Sequence, residues 1–312
     1  GITRMIGATK EFVPKISVSY NLDEDSMIYA LWTVGYRPGG TNRQRGDAAF
    51  PKQYEADKMI NYEAGYKGSF AKDTATLSLT AFAMQWDDYQ FELIDPSFGT
   101  CTGENEGLDK VPGICGQPYQ QGVFNAGDAH INGVNAEFDW NPTDNISLGM
   151  NMEWLDAETD TDLGLGDLSV EAGTSLPLTP DVTGGVWATY NWTVPSLNAN
   201  AYARVQWSYS GSRSSGLEYT AFTNEDGSLN PNPSWVYPSY NIGDLSIGMQ
   251  GDVWEISMFL NNVTDERAIY SRAAQGGYTQ QNIDEGRMHV DTVYTNRPRE
   301  YGIRFIRKFG GG

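Results

Sequence analysis

Short and long connections alternate strictly between segments of period-two hydrophobicity, and that pattern constrains this chain more than any motif does. The clearest pair of segments runs from Tyr240 to Asn262: YNIGDLSIGMQ, a Gly-Asp turn, then VWEISMFLNN. On the way in, Leu245, Ile247 and Met249 alternate with Asp244, Ser246, Gly248 and Gln250. On the way out, Trp254, Ile256, Met258 and Leu260 share one face. Alternation on both sides of a tight Gly-Asp pair predicts a β-hairpin.

The same unit recurs along the chain. Strands are predicted at Lys15 to Tyr20, at Met27 to Arg37, and around Ile60, Tyr62, Ala64, Tyr66 and Phe70. A fourth starts near Ala75 and has a pattern that reaches Leu93. Two more carry Val134, Ala136, Phe138 and Trp140, then Ile146, Leu148, Met150, Met152 and Trp154. Val182 to Tyr190 and Ala199 to Tyr209 follow, then the hairpin, and REYGIRFIRKF closes the set at eleven. Turns of the type NLDED, AKD, NPTD, TVPS and GD alternate with five long loops. The first is PGGTNRQRGDAAFPKQ, the second holds both cysteines, and the others run from about Asp156 to Pro180, Gly211 to Tyr237 and Asp265 to Arg297. Short turns at one end and long loops at the other are the signature of a transmembrane antiparallel barrel. A soluble sandwich has no such bias.

Side-chain chemistry agrees. One face of each strand is apolar, often Ala, Leu or Val. Trp140, Trp154, Trp192, Trp207, Tyr209 and Tyr36 lie near strand ends, where interfacial girdles form. The opposite face carries Asn, Ser, Thr, Glu and Arg at a density that a dry core would not tolerate. No apolar run approaches the ~18 residues of a membrane helix, which says nothing against a barrel. The formal net charge of -19 disfavours nucleic acid. The first residues, GITRMIGATKEF, carry neither a charged start nor an apolar stretch, as expected of an internal fragment or the second half of a split protein. Bacterial single-chain barrels have even strand numbers, so eleven strands read as half of the 22 of a plugged transporter.

Several stretches, taken as a set in chain order, carry a resemblance. Tyr29 precedes Gly35-Tyr36-Arg37-Pro38-Gly39-Gly40-Thr41-Asn42. Asn61-Tyr62-Glu63 precedes Gly65-Tyr66-Lys67-Gly68. Then come Asn125-Ala126-Gly127, Gly133-Val134-Asn135-Ala136-Glu137, Asn261-Asn262-Val263-Thr264-Asp265 ahead of Tyr270, and Arg297-Pro298-Arg299-Glu300-Tyr301-Gly302. Together they resemble the C-terminal barrel half of a TonB-dependent outer-membrane receptor, over nearly all of the chain. The resemblance implies a Gram-negative outer-membrane location among lipid and lipopolysaccharide, and a periplasmic segment that engages the TonB energy-transduction system. It also implies a plug inside the barrel and uptake of a scarce nutrient, most often a ferric siderophore. Plug, TonB-engaging segment and first barrel half do not match anything in this sequence, so a partner chain supplying them is one expectation. The three glycines 310–312 follow the terminal aromatic Phe309, where the family's barrels end. Carbohydrate, vitamin B12, haem and peptide are alternative cargoes, and a structural or assembly component of an outer-membrane complex is the alternative role.

Ligand contacts are expected from Arg and aromatic residues of the long loops: Arg43, Arg45, Tyr119, Trp235, Tyr237, Tyr278, Arg287 and His289. Such side chains pair with anions and stack on flat rings; as loop residues they are equally consistent with a solvated surface or a girdle. Asp156, Glu158, Asp160 and Asp162 offer oxygen ligands of the kind Ca²⁺ takes, but lack the glycine and terminal Glu of an EF-hand loop, so a solvated acidic loop and no metal are expected. Glu63 and Glu137 are placed on the lumen face, bonded to strands or plug. His130 and His289 are the two histidines, without a triad, phosphate-binding or metal motif, so neither enzymatic activity nor a cofactor is expected.

Cys101 and Cys115 lie 14 positions apart in CTGENEGLDKVPGIC. The alternative is two free thiols, but two cysteines alone in one loop, with no neighbouring His, read as a disulfide, which implies an oxidising compartment. Closing a loop of that size stabilises by about 3 kcal/mol in the chain-entropy model. Peptide mapping without reductant is expected to recover Cys101 and Cys115 in one cross-linked species that separates on reduction. Recovery of two alkylatable thiols from membranes would exclude the bond.

Overall fold

The computed structural model describes residues 11–42, 51–94, 121–125, 127–165, 168–216, 236–273 and 292–309. Eleven strands form one antiparallel sheet in chain order. They are β1 (Lys15–Asn21), β2 (Ser26–Arg37), β3 (Asp57–Phe70), β4 (Ala75–Asp87), β5 (Ala129–Thr143), β6 (Ile146–Thr159), β7 (Val182–Val194), β8 (Ala199–Ser210), β9 (Tyr240–Gln250), β10 (Trp254–Asn261) and β11 (Glu300–Arg307). The sequence alternation predicts all eleven, and most boundaries fall within a few residues of expectation. β1 and β11 are the two edges of the sheet.

Cross-strand register carries the apolar parity from one edge to the other, with one shift at the turn end of the β5–β6 ladder, between Ile146 and Leu148. Val18 faces Ala30, Ala30 faces Ala64, and Ala64 faces Ala81. Further along, Val186 faces Trp207, Leu245 faces Leu260, and Leu260 faces Tyr301. A one-residue slip at any ladder would put one strand's apolar set on the wrong face. Val18, Tyr62, Leu79, Met152, Val186, Ile247 and Ile303 are all exposed on that face. In an ordinary soluble sheet such a face would be buried. The girdle aromatics Tyr36, Trp140, Trp154, Trp207 and Tyr209 are exposed as well, whereas Trp192 is half-buried against Tyr190, with rings 5.5 Å apart.

On the opposite face, polar groups satisfy one another along the wall. Tyr29 donates its hydroxyl to Glu63 at 2.7 Å and lies 2.9 Å from the Thr80 hydroxyl. The aromatic rings on this face lie over glycines. Tyr29 faces Gly65, Phe82 faces Gly133, Trp187 faces Gly149, Tyr202 faces Gly248, and Phe259 faces Gly302. A Cβ on any of these glycines would come within 2.3–2.7 Å of the facing ring. Glycine inside a strand costs roughly 0.5–1 kcal/mol relative to Ala. Ring-over-glycine packing offsets this cost and pins the register.

Two expectations change. The alternation that reaches Leu93 is not one strand: β4 stops at Asp87, and Asp88 takes φ 54°. The Tyr89 N–H turns to the Gly127 carbonyl at 2.7 Å, so Gln90–Ile94 leaves the sheet and pairs with Gln121–Asn125. The long loops are also more ordered at their bases than expected. Each begins as a two-stranded ribbon: Gly40–Thr41 with Gln53–Tyr54, Leu163–Leu165 with Leu168–Val170, Arg213–Ser214 with Val236–Tyr237, and Ile269–Ala273 with Thr292–Thr295.

If the apolar face meets lipid, charge tolerance must differ between the two faces. Ala64→Arg, mid-strand on the apolar face, is expected to destabilise the bilayer-inserted protein by about 2–4 kcal/mol. Asn151→Arg on the polar face should stay within about 0.5 kcal/mol. Equilibrium unfolding from phospholipid vesicles measures both, and equal costs would refute the assignment of faces.

Candidate functional site

Side chains gather where strands of the polar face end at the long loops. At the end of β2, Arg37 stands opposite Asp57, the first residue of β3. Asp57 is 2% exposed, and its carboxylate accepts from both the Nε (3.0 Å) and Nη2 of Arg37, as well as from the backbone N–H of Arg37 and of Gln90. The buried charge is thus paired and fully hydrogen-bonded, as a low-dielectric site demands. The Arg37 side chain remains 48% exposed. Its guanidinium lies 5.3 Å from the Trp86 ring centre and 5.9 Å from that of Tyr89, within cation–π range. Burial pushes the Tyr89 phenol above its ordinary pKa, with Arg37 pulling it back down and Asp57 adding to the rise.

Amide side chains hold this corner together. The Gln90 side-chain NH₂ donates to the carbonyls of Arg37, Pro38 and Glu55. Asn42 donates to the Pro51 carbonyl at 2.8 Å and accepts from the Val123 N–H at 2.8 Å. Asn125 accepts from the Glu55 N–H and donates to the Asp88 carbonyl. Beneath them Phe124, Ala129, Ala157, Val170 and Leu176 form a small apolar core against Trp86, Tyr89 and Phe91. The roots of the first three long loops are joined there.

A second Arg–aromatic group stands at the roots of the fourth and fifth loops. Arg213 lies 5.4 Å from the Tyr237 ring centre and 5.8 Å from that of Tyr240. Its Nη2 donates to the carbonyls of Ile269 and Tyr270, while Nη1 is buried with no hydrogen-bond partner among the described residues. Tyr240 meets Tyr270 edge-on at 5.8 Å, and burial raises the Tyr270 phenol pKa. Nearby, Asn262 is 3% exposed at φ 51° and donates to the carbonyls of Glu266 and Arg297.

Of the residues predicted to touch a ligand, Tyr237 is found in this second group, 4% exposed. Arg43, Arg45, Tyr119, Trp235, Tyr278, Arg287 and His289 lie outside the described residues, as do Cys101 and Cys115. Arg37, Asp57, Trp86, Tyr89, Gln90, Arg213, Tyr240 and Tyr270 were not anticipated as contacts. An available signal was the pair of opposite charges bracketing the first loop, Arg37 before it and Asp57 after it. The acidic run is strand rather than loop up to Thr159, which puts Asp156 and Glu158 on one face beside His130. Their potential ligand atoms fall within 4.8 Å of one another, and the His130 Nδ1 lies 2.6 Å from Asp160. The His130 Nε2 lies 3.6 Å from Asp156, and these groups are partly solvated. Glu63 is bonded to Tyr29 as the lumen placement implied.

Comparison with known proteins places this geometry. The family described as TonB dependent receptor-like, beta-barrel matches residues 4–264. Among solved structures, the ferric yersiniabactin uptake receptor FyuA from Yersinia pestis is 20% identical with a TM-score of 0.64, covering 95% of this chain and 37% of that one. FpvA from Pseudomonas aeruginosa, solved with heterologous pyoverdines, is 17% identical at TM-score 0.59, covering 96% and 33%. The siderophore receptor PiuA from Acinetobacter baumannii is 15% identical at TM-score 0.58, covering 94% and 35%. The chain thus spans about a third of the length of these receptors, and at such identities the likeness concerns the fold.

Asp57 is the keystone of the first group. Asp57→Ala strands the Gln90 N–H and leaves the half-exposed Arg37 guanidinium its bond to the Gln90 carbonyl, a cost of about 1–3 kcal/mol in local stability. Hydrogen exchange of the Gln90 and Arg37 amides should therefore quicken about tenfold or more, while the mid-strand amides of β8 and β9 stay protected. Unchanged exchange at Gln90 would remove Asp57 from this role.

Proposed function

The chain belongs to the TonB-dependent receptor family, as part of its β-barrel, and from that premise we propose that it forms the ligand-facing wall of an energy-coupled uptake receptor for a ferric siderophore. The family consists of Gram-negative outer-membrane transporters rather than enzymes. Eleven strands with two open edges suit half of a 22-stranded barrel. The remaining strands and a plug complete it in the same polypeptide or in a partner chain, and TonB acts through the plug.

The observation that carries the choice of ligand is the half-exposed Arg37 guanidinium stacked beside Trp86 and Tyr89 on the polar face at the long-loop end. A flat guanidinium next to π-surfaces suits a ligand that presents planar rings bearing anionic oxygens, as phenolate and catecholate iron chelates do. Arg213 with Tyr237 and Tyr240 repeats the chemistry at the other loop roots. That FyuA, FpvA and PiuA are named as siderophore receptors supports the same reading.

The test uses the full-length receptor in cells fed radiolabelled iron as ferric phenolate and catecholate siderophores. Accumulation is expected to require both the receptor and TonB. Arg37→Lys keeps the charge but loses the planar fork, and should weaken binding about tenfold, the equivalent of ~1.4 kcal/mol. Accumulation that persists without TonB would overturn active uptake. Intact TonB-dependent uptake of another cargo would overturn the siderophore assignment alone.

A further inference from the structure

The outward face of β5 and β6 turns polar above the aromatic girdle. Trp154 is exposed at the girdle, and Asp156 and Glu158 follow it on the same face. At a rise of about 3.4 Å per residue they stand roughly 7 and 14 Å beyond Trp154, toward the long loops and out of the hydrocarbon. Register puts His130 of β5 directly opposite Glu158, with Asn132 opposite Asp156. In a loop the carboxylates of this run have no reason to converge. In a strand, period two brings both beside one imidazole.

One ligand atom each from His130, Asp156 and Glu158 falls within 4.8 Å of the other two. The His130 Nδ1 lies 2.6 Å from the Asp160 carboxylate, which holds the ring proton on that nitrogen. The Nε2 lone pair is left on the other side of the ring, 3.6 Å from Asp156. A carboxylate behind the imidazole is the usual outer partner of a metal-bound histidine. Neighbouring ligand atoms of a tetrahedral ion with bonds of about 2.1 Å lie about 3.4 Å apart, so Nε2 and Asp156 already stand near that spacing. Glu158, partly solvated, closes the remaining gap by side-chain rotation.

The backbone beneath these groups is held in place. Ala129, beside His130, and Ala157, between the two carboxylates, are 1% and 7% exposed in the small core that joins the loop roots. Among the described residues no lysine or arginine pairs with Asp156, Glu158 or Asp160; their recorded ion-pair partner is His130. A single imidazole does not balance three carboxylates, and a divalent ion does so far better.

We propose that His130, Asp156 and Glu158 bind a divalent transition-metal ion of the Zn²⁺ type, with Asp160 as the positioning residue behind His130. Imidazole beside carboxylates suits such an ion better than Ca²⁺ or Mg²⁺, which take oxygen ligands. Three protein ligands leave a fourth position to solvent. The ion joins β5 to β6 at the root of the third long loop. The site rests on these four side chains and not on the identity of the transported cargo.

The test follows modification of His130 by diethyl pyrocarbonate in the folded full-length receptor, read by peptide mass spectrometry, with Zn²⁺ as the probe. Saturating Zn²⁺ is expected to slow modification about tenfold or more, while Ca²⁺ and Mg²⁺ at the same concentration leave it unchanged. Asp160→Asn should raise the Zn²⁺ concentration for half-protection about 10–100-fold. Glu158→Gln should raise it at least as far, although it leaves the bond between His130 and Asp160 in place. Both variants are near-isosteric, and resistance of the barrel to detergent until heated checks that they fold. Absence of Zn²⁺ protection in the folded wild type would overturn the site. So would half-protection unmoved by Glu158→Gln, because an ion held by the imidazole alone has no need of that carboxylate. Equal protection by Ca²⁺ would overturn the assignment to a transition metal.

Discussion

A strand in hydrocarbon has no water to satisfy its backbone, so every N–H and C=O must find a partner on a neighbouring strand. The eleven-stranded ladder is the form this requirement takes here. It fixes antiparallel neighbours in chain order, demands short turns at one end, and leaves each side chain only two directions. Lipid claims one direction, and that face is apolar from Val18 to Ile303. What remains for recognition is the polar face and the loops above it. Arg37, Trp86, Tyr89, Arg213 and Tyr240 gather at the long-loop end of that face, while Arg204 over Trp187 stands in the wall between the strand ends.

The ladder also explains why amide side chains dominate the loop roots. Where a strand leaves the sheet, its last carbonyls and N–H groups lose their cross-strand partners at a point still shielded from solvent. Gln90 takes up three such carbonyls, and Asn262 takes up two while accepting the Glu266 N–H. A neutral amide serves because it offers donor and acceptor together and brings no charge that would need a counterion. Such roots tie down the base of a loop and hold the neighbouring Arg and aromatic groups in fixed relation, the kind of preorganisation that lowers the ordering cost of binding.

The fold was legible because period two, small turn residues and connection length all pointed one way over eleven repeats. The site was less so, for a geometric reason. Arg37 and Asp57 are 20 residues apart in sequence and meet only through the register of β2 on β3. Trp86 and Tyr89 join them because the chain breaks at Asp88 instead of continuing as strand. Arg37, Asn42, Asn125 and Asn262 all fall in the stretches that carry the family resemblance, yet in the structure these residues mainly build loop roots. Resemblance located them without saying what they do. The loop residues predicted as contacts were chosen by type, and type alone does not separate Tyr237, packed under Arg213 at 4% exposure, from a solvated tyrosine.

The charges narrow what the mouth can hold. The chain carries 40 acidic against 21 basic residues, so it repels an anion once that anion comes within a screening length of about 8 Å. At close range Arg37 is already paired with Asp57, which leaves its guanidinium with little net charge to offer. Simple ion pairing therefore recognises a small free anion such as phosphate poorly here. What Arg37 keeps is a flat, half-exposed surface beside Trp86 and Tyr89, and such a surface is most useful to a ligand that brings planar rings of its own. On the siderophore reading proposed above, the metal offsets part of the charge on the chelate's oxygen donors, so the acidic surroundings penalise it less than a bare anion.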